Sequence, residues 1–486
     1  MFLEILVFYF VSGSVQGASE CLHRDYGNTG TVCVCNSIHC DTIDPITQVE
    51  VGQYVSYTSN LAGKRFEREV AKFVSSSSAP DVVIDHGTTY QTVHGFGGAF
   101  TDATGININS LNNQTREYLM RSYFSNEGLE YSLCRVPIGG TDFSTRSYSY
   151  MDTALPDLIL SAFALQSEDF FYKIPLIKQA QHLMNGKLQF IASAWTAPSW
   201  MKTNGLQDGS GDLDTGYWQL WVNYFIRFLD SYKEQGIEFW GLTTGNEPSL
   251  SLFSSNKINS VGWAPWTQNK WIRRNLGPTI RNSRYSNLKL ICHDDQRVLL
   301  PLIDSLFADK EAREYIDGIG VHWYWNDITP ASWQSDVHNR YPEKFFINTE
   351  ACKGDKLWEK PVLLGSWLRG EKYAIDIIEN LQHWSVGWID WNMALINTDT
   401  GEFLKQPMFY AIGHYSKFIT RGSIRVDLST EQNGILLVAF DRPDGATVVV
   451  AINGKELDTP INIQDPKRGY ISQVITAKSF NTIIYW

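Results

Sequence analysis

Two short stretches each end a strand-like apolar run with a carboxylate. One reads Thr243-Thr244-Gly245-Asn246-Glu247-Pro248, the other Asn348-Thr349-Glu350-Ala351-Cys352. A single glutamate at a strand end is ordinarily solvated or ion-paired. Two of them brought to one mouth would flank a bond lying between them. Carboxyls about 5–5.5 Å apart hydrolyse glycosides with retention. One attacks the sugar carbon; the other protonates the leaving oxygen and then activates water. Other strand ends offer Arg135, Asp142, Trp195, His322-Trp323-Tyr324 and Asp390-Trp391-Asn392. Asp and Asn can hydrogen-bond to sugar hydroxyls, and flat tryptophan faces can stack on a ring. The chain has 17 Trp, 23 Tyr and 25 Phe, most of which are expected to fill the core.

Competing chemistries lack their signatures. The ten histidines show no H-E-x-x-H or similar metal spacing. There is no G-x-S-x-G nucleophile elbow. Gly95-Phe96-Gly97-Gly98 lacks the G-x-G-x-x-G spacing of a dinucleotide loop. Neither metal nor cofactor is therefore expected. A formal net charge of −11 argues against a nucleic-acid partner, because neutralising phosphates needs basic surface.

Positioning these residues calls for a barrel. Eight apolar runs read as strands: Thr92–Gly98, Tyr131–Val136, Leu188–Ala194, Glu238–Thr244, Leu288–Cys292, Gly318–Trp323, Phe345–Thr349 and Val386–Asn392. They are near-continuously apolar, as parallel strands buried on both faces should be. Between the third and fourth, Trp218, Trp221, Val222, Phe225, Phe228, Leu229 and Tyr232 recur at helical spacing, and Gly236 stops the helix. The pattern predicts a (β/α)8 barrel, with chemistry at the C-terminal strand ends. Glu247 and Glu350 then end strands four and seven.

At 486 residues the chain exceeds one barrel. Both flanks hold short β-type runs: Gln53–Ser59 and Val82–Ile84 before the barrel, Gly434–Phe440, Thr447–Asn453, Ile461–Ile463 and Tyr470–Thr476 after it. Neither flank alone makes a sandwich, so the two are expected to form one together. Expected boundaries are 93–419 for the barrel and 46–92 plus 420–486 for the accessory domain.

Residues 1–17 read as a signal peptide: an apolar run, Phe2–Val11, too short to span a bilayer, then small residues. Segment 18–45 carries Cys21, Cys33, Cys35 and Cys40. In a secreted chain these imply two disulfides. Zinc is the rival reading, weakened because Cys33-x-Cys35 lacks the usual ligand gap. Asn113-Gln114-Thr115 is a glycosylation sequon.

Longer blocks carry a more specific likeness: HGFGGAFTDA at 94–103, ASAWTAPSWMKTNG at 192–205, GNEPS at 245–249, VHWY at 321–324, NTEAC at 348–352, VGWIDWN at 386–392 and KQPMFYAIGHYSKFI at 405–419. The chain resembles the lysosomal glucocerebrosidase (acid β-glucosidase) family nearly end to end. The resemblance implies that Glu350 is the nucleophile and Glu247 the acid/base. It implies that Asp142, Trp195, Asn246, Tyr324 and Trp391 line the glucose subsite of a glucosylceramide substrate at a membrane surface; Arg135 is expected to bind substrate from its place at a strand end. The resemblance also implies disulfides Cys21–Cys33 and Cys35–Cys40, an immunoglobulin-like accessory domain and a small N-terminal sheet. Lysosomal residence and a saposin-type activator follow from the same likeness. The chain departs from the family after Asn392, where a long segment is replaced by 393–404. Gly245 also stands where a glutamate is typical, and Thr141 where a cysteine is. Two alternatives stay open: a secreted β-glycosidase acting on another glycan, and a catalytically impaired glycolipid-binding relative.

Overall fold

The structure, a computed structural model, describes residues 18–75, 80–252, 257–356, 358–393, 395–430 and 434–486. The expected signal peptide lies outside the described residues.

Eight parallel strands close into a barrel: β1 (Gly95–Ala99), β2 (Leu133–Ile138), β3 (Gln189–Ala194), β4 (Gly241–Thr243), β5 (Lys289–Gln296), β6 (Gly318–His322), β7 (Phe345–Glu350) and β8 (Ser385–Asn392). Each coincides with a predicted strand. The glycines of β1 serve packing: a Cβ on Gly97 would lie 1.8 Å from the Leu133 carbonyl oxygen. β5 departs most from expectation. It continues beyond Cys292 to Gln296 through a bulge between His293 and Asp295.

The helix Trp218–Glu234 links β3 to β4 and buries Trp221, Phe225, Phe228 and Tyr232 against the barrel. The chain leaves it at Gly236, whose φ of +79° disfavours a side chain. Gly236 and Ile237 donate to the last helical carbonyls.

Strands from both flanks hydrogen-bond into one nine-stranded assembly. Its order is Gly469–Ile475, Thr459–Asp465, Val82–Thr92, Ile424–Thr430, Leu436–Asp441, Thr447–Asn453, Ser479–Tyr485, Gln53–Asn60 and Glu67–Lys72. Ile84, Ile463, Ile471 and Ile483 pack in its interior. Three of these strands escape the sequence reading: Glu67–Lys72, a largely exposed edge strand, and Ile424–Thr430, which carry no continuous apolar run, and Ser479–Tyr485, whose apolar Ile483-Ile484-Tyr485 follows the polar Asn481-Thr482.

Cys21–Cys33 and Cys35–Cys40 are disulfide-bonded, as the resemblance implies. The small sheet they tie is not built from the N-terminus alone. His23–Asp25 and Thr31–Cys35 pair onward with Glu402–Lys405 and Leu395–Asn397, so the short segment after β8 completes it. Arg24 clamps Glu402 with two hydrogen bonds of 2.7 and 3.0 Å. Among the described residues no helix is long and apolar enough to cross a membrane.

Candidate active site

The strand ends converge on a cavity of about 820 Å³, lined by Glu247, Glu350, Asp142, Trp195, Asn246, Tyr324 and Trp391. One carboxylate oxygen of Glu247, one of Glu350 and a ring nitrogen of His322 lie within 4.8 Å of one another. That closeness suits a retaining pair and is too short for an inverting one, which needs about 6.5–9.5 Å.

Backbone strain aims the groups. Glu247, His293 and Asp294 adopt left-handed φ values of +42°, +68° and +49°. Such conformations cost about 1–3 kcal/mol each in non-glycine residues and cluster where geometry serves a site. The bulge in β5 turns Asp294 into the barrel, fully buried. There its carboxylate accepts from Arg135 Nη2 (2.7 Å), Ser193 Oγ (2.8 Å), Thr349 Oγ1 (2.6 Å) and His322 Nε2 (3.1 Å). Burial opposes its charge, yet Arg135 and His322 hold its carboxyl well below the usual carboxylate range.

Arg135 does not line the cavity. Its side chain is completely buried behind the wall, which corrects the expectation that it touches substrate. It donates to Glu350 Oε2 through Nη1, and through Nη2 to Asp294 and to Asn246 Oδ1 at 2.8 Å. Because a guanidinium can only donate, this contact fixes the amide oxygen of Asn246 inward and leaves its NH2 to the cavity side. The guanidinium also lies 4.6 Å from the Trp195 ring centroid, and Trp195 stacks on Trp391 at 4.9 Å. Arg135 thus ties the nucleophile candidate, the amide and the aromatic wall together.

His322 donates on both sides, to Asp294 and through Nδ1 to Glu247 Oε1 at 2.8 Å. Burial works against its charge. The carboxylates of Glu350, Asp294 and Glu247 outweigh burial and raise its pKa to about 10, so it is an imidazolium. Gln296 Nε2 also donates to Glu247 Oε1, at 2.6 Å. Glu350 Oε1 accepts from Tyr324 Oη at 2.7 Å. The Glu350 carboxyl is raised above its ordinary range: burial lifts it and the Glu247 carboxylate adds to the lift, against the pull of the His322 and Arg135 charges. Asp142, in the mouth, is pushed up to about 7 by its enclosure and by Glu350.

Asp294, Ser193, Thr349 and Gln296 were not singled out from the sequence. The available signal is the polar His293-Asp294-Asp295-Gln296 run directly after Cys292, hidden because β5 extends past its apolar part. Asn113 sits exposed at the start of the helix Asn113–Phe124 and opens its sequon there, while Thr115 is buried.

The chain matches the glycosyl hydrolase family 30 TIM-barrel domain over residues 93–401 and the family 30 beta sandwich domain over 422–483. It is 39% identical to mouse (Mus musculus) lysosomal acid glucosylceramidase, over 99% of each chain. It is 36% identical to putative glucosylceramidase 4 of Caenorhabditis elegans, over 99% of this chain and 98% of that one. Its fold overlays that of SrfJ from Salmonella typhimurium with a TM-score of 0.82 at 23% identity, covering 89% of this chain and 99% of that one. A closed parallel barrel, two facing glutamates at its strand ends and these matches agree: the chain belongs to glycosyl hydrolase family 30.

Proposed function

We propose that the chain is a retaining β-glucosidase of glucosylceramide, with Glu350 as nucleophile and Glu247 as acid/base. The observation that carries this reading is the charge balance around the two glutamates. Two buried cations, Arg135 and His322, face Asp294, Glu247 and Glu350. One proton on the glutamate pair makes the cluster neutral. Glu350, in contact with the permanent charge of Arg135, acts as the anion, and Glu247 is the partner that supplies the proton.

The reaction follows from that state. A Glu350 oxygen attacks the anomeric carbon as its bond to the aglycone oxygen breaks, and Glu247 gives that oxygen its proton. Glu350 is now an uncharged ester, so its repulsion of a charge on Glu247 is gone. Glu247, beside the imidazolium, stays a carboxylate and takes a proton from water. The water oxygen attacks the same carbon and releases Glu350. Asn246 and Asp142 hold sugar hydroxyls, Trp195 and Trp391 wall the ring, and Arg135 positions three of these groups.

The lipid substrate is supported by the names of the relatives and by the rim of the cavity. Trp325, Ile328, Trp358 and Val362 on the loops after β6 and β7 are 43%, 71%, 77% and 52% exposed. An apolar rim of this kind suits peripheral contact with a lipid surface. An acidic lumen, the lysosome, and a saposin-type activator belong to the same reading. The short segment after β8 removes none of the side chains just named. Incubation with a 2-deoxy-2-fluoro-β-glucosyl fluoride, followed by peptide mass spectrometry, is expected to find the label on Glu350. A label on another residue, or neither label nor turnover of an aryl β-glucoside, would overturn the proposal.

A further inference from the structure

The cavity does not stop at the sugar-binding residues. It extends past Asn392, at the end of β8, toward the helix Pro407–Ser416. There its walls are Tyr123, Tyr131, Leu404, Met408, Phe409 and Ile412. These walls are aromatic and aliphatic, and most of these side chains are otherwise buried.

The chain after β8 borders this space, through Leu395 and Leu404, without filling it. Residues Leu395–Asn397 and Glu402–Lys405 form a tight hairpin, and Glu402–Lys405 pairs with Thr31–Cys35. Lys405 is anchored on Asp41, by 2.6 Å to its carbonyl and 3.0 Å to its carboxylate, and Tyr410 Oη donates to the same carboxylate at 2.7 Å. The hairpin is thus held on the N-terminal sheet. At the neck, Asn392 Oδ1 accepts from Thr101 (2.8 Å) and Thr104 (3.2 Å), which fixes that side chain. Asp390 also lines the passage and accepts from Tyr373 Oη at 2.9 Å. Burial pushes its carboxyl up to about 7, so in mild acid it carries no charge to repel an apolar chain.

We propose that this apolar annex seats one alkyl chain of the lipid aglycone while the sugar occupies the carboxylate end. The inference rests on the glycosidase reading and adds a binding site to it. Continuity with the two glutamates puts the annex within reach of an aglycone still attached to its sugar. Its walls offer what a methylene chain gains from, burial against aromatic and aliphatic surface.

Alkyl β-thioglucosides of increasing chain length, as inhibitors of aryl β-glucoside hydrolysis, test this. Inhibition by the intact protein should tighten about three- to fourfold per methylene buried. Met408→Trp, which fills the annex, should flatten that dependence. It should also lower the ratio of long-chain glucosylceramide to aryl β-glucoside turnover (kcat/KM) at least about tenfold, which corresponds to two methylenes lost from burial. Trp358→Ala, at the outer rim, should leave the chain-length dependence in place. Melting curves confirm that both variants fold, and Met408→Leu, which keeps the space open, should retain the dependence if Met408→Trp does not fold. If Trp358→Ala flattens the dependence and Met408→Trp does not, the chain leaves by the mouth and the annex is refuted. No dependence on chain length in the intact protein also refutes it. Failure to hydrolyse even the aryl β-glucoside would instead refute the glucosidase reading beneath it.

Discussion

The main-chain N–H of Glu247 donates to the carbonyl of Asp294 at 2.9 Å, and both residues sit in the left-handed region of backbone space. The ends of β4 and β5 are therefore locked to each other where each is strained. The same pair is joined again through His322, which bridges the two carboxyl groups. Position and charge of the proposed acid are thus set together.

Replacing Asp294 separates the two effects. Asp294→Asn keeps the shape but leaves Arg135 and His322 with one anion fewer. Breaking a buried ion pair of this kind costs about 3–5 kcal/mol, which a melting curve would register. The surplus positive charge lowers the proton affinity of the glutamate pair. The upper limb of the pH–rate profile should therefore move to lower pH. A limb that stays in place would contradict the role assigned to the cluster.

The acid/base role predicts a leaving-group signature. Glu247→Gln should slow hydrolysis of glucosides with poor leaving groups by about 10²–10⁴-fold. Glycosylation by a dinitrophenyl glucoside, which needs no proton, should stay fast, and added azide should release the trapped sugar as glucosyl azide. Equal losses on both substrate types would refute the assignment.

Folding should take up protons as the solution is acidified. Enclosure and neighbouring carboxylates push Asp142 and Asp295 up to about 7, burial does the same to Asp390, and His322 stands at about 10. All four hold protons more tightly in the folded chain than at their ordinary values near 3.9 and 6.5. Their stabilisation is complete below those values. It is lost as pH rises, over about 4 to 7 for the three carboxyls and about 6.5 to 10 for His322. Asp294 has the opposite sign, but its share is lost only in strong acid. His94, His293 and His414, which burial lowers to about 4, 4 and 3, oppose the trend below about pH 6.5, over fewer pH units in all than the four raised groups cover between pH 5 and 8. The melting temperature is expected to be higher at pH 5 than at pH 8, and a flat or inverted profile between them would be the contrary result.

Membrane contact should respond to acidity and to the rim. A formal charge of −11 repels anionic lipid near neutrality, and protonation of carboxylates weakens that repulsion. Co-sedimentation with phosphatidylserine-containing vesicles should increase from pH 7 to pH 5. Trp358→Ser combined with Ile328→Ser should lower it at both, while aryl β-glucoside turnover in detergent stays within about twofold, a surface change being nearly neutral for the fold.

The barrel, its eight strands and the two glutamates were legible in the sequence because each rests on a local pattern. An apolar run buried on both faces announces a parallel strand, and a carboxylate directly after it falls at the mouth. Tertiary structure alone decided what those carboxylates are worth. Asp294 lies beyond the apolar part of β5, in a bulge that no periodicity marks, and only burial beside Arg135 and His322 gives it a role. Arg135 looked like a sugar ligand from its strand end, but it is sealed behind the wall and acts through Glu350, Asn246 and Trp195. The segment 393–404 read only as missing length. In the fold its hairpin pairs with the disulfide-tied N-terminus and leaves the annex open beside β8. Local pattern specifies which face of an element is buried; charge balance, close approach and empty space arise between elements distant in the chain, so they exist only once it has folded.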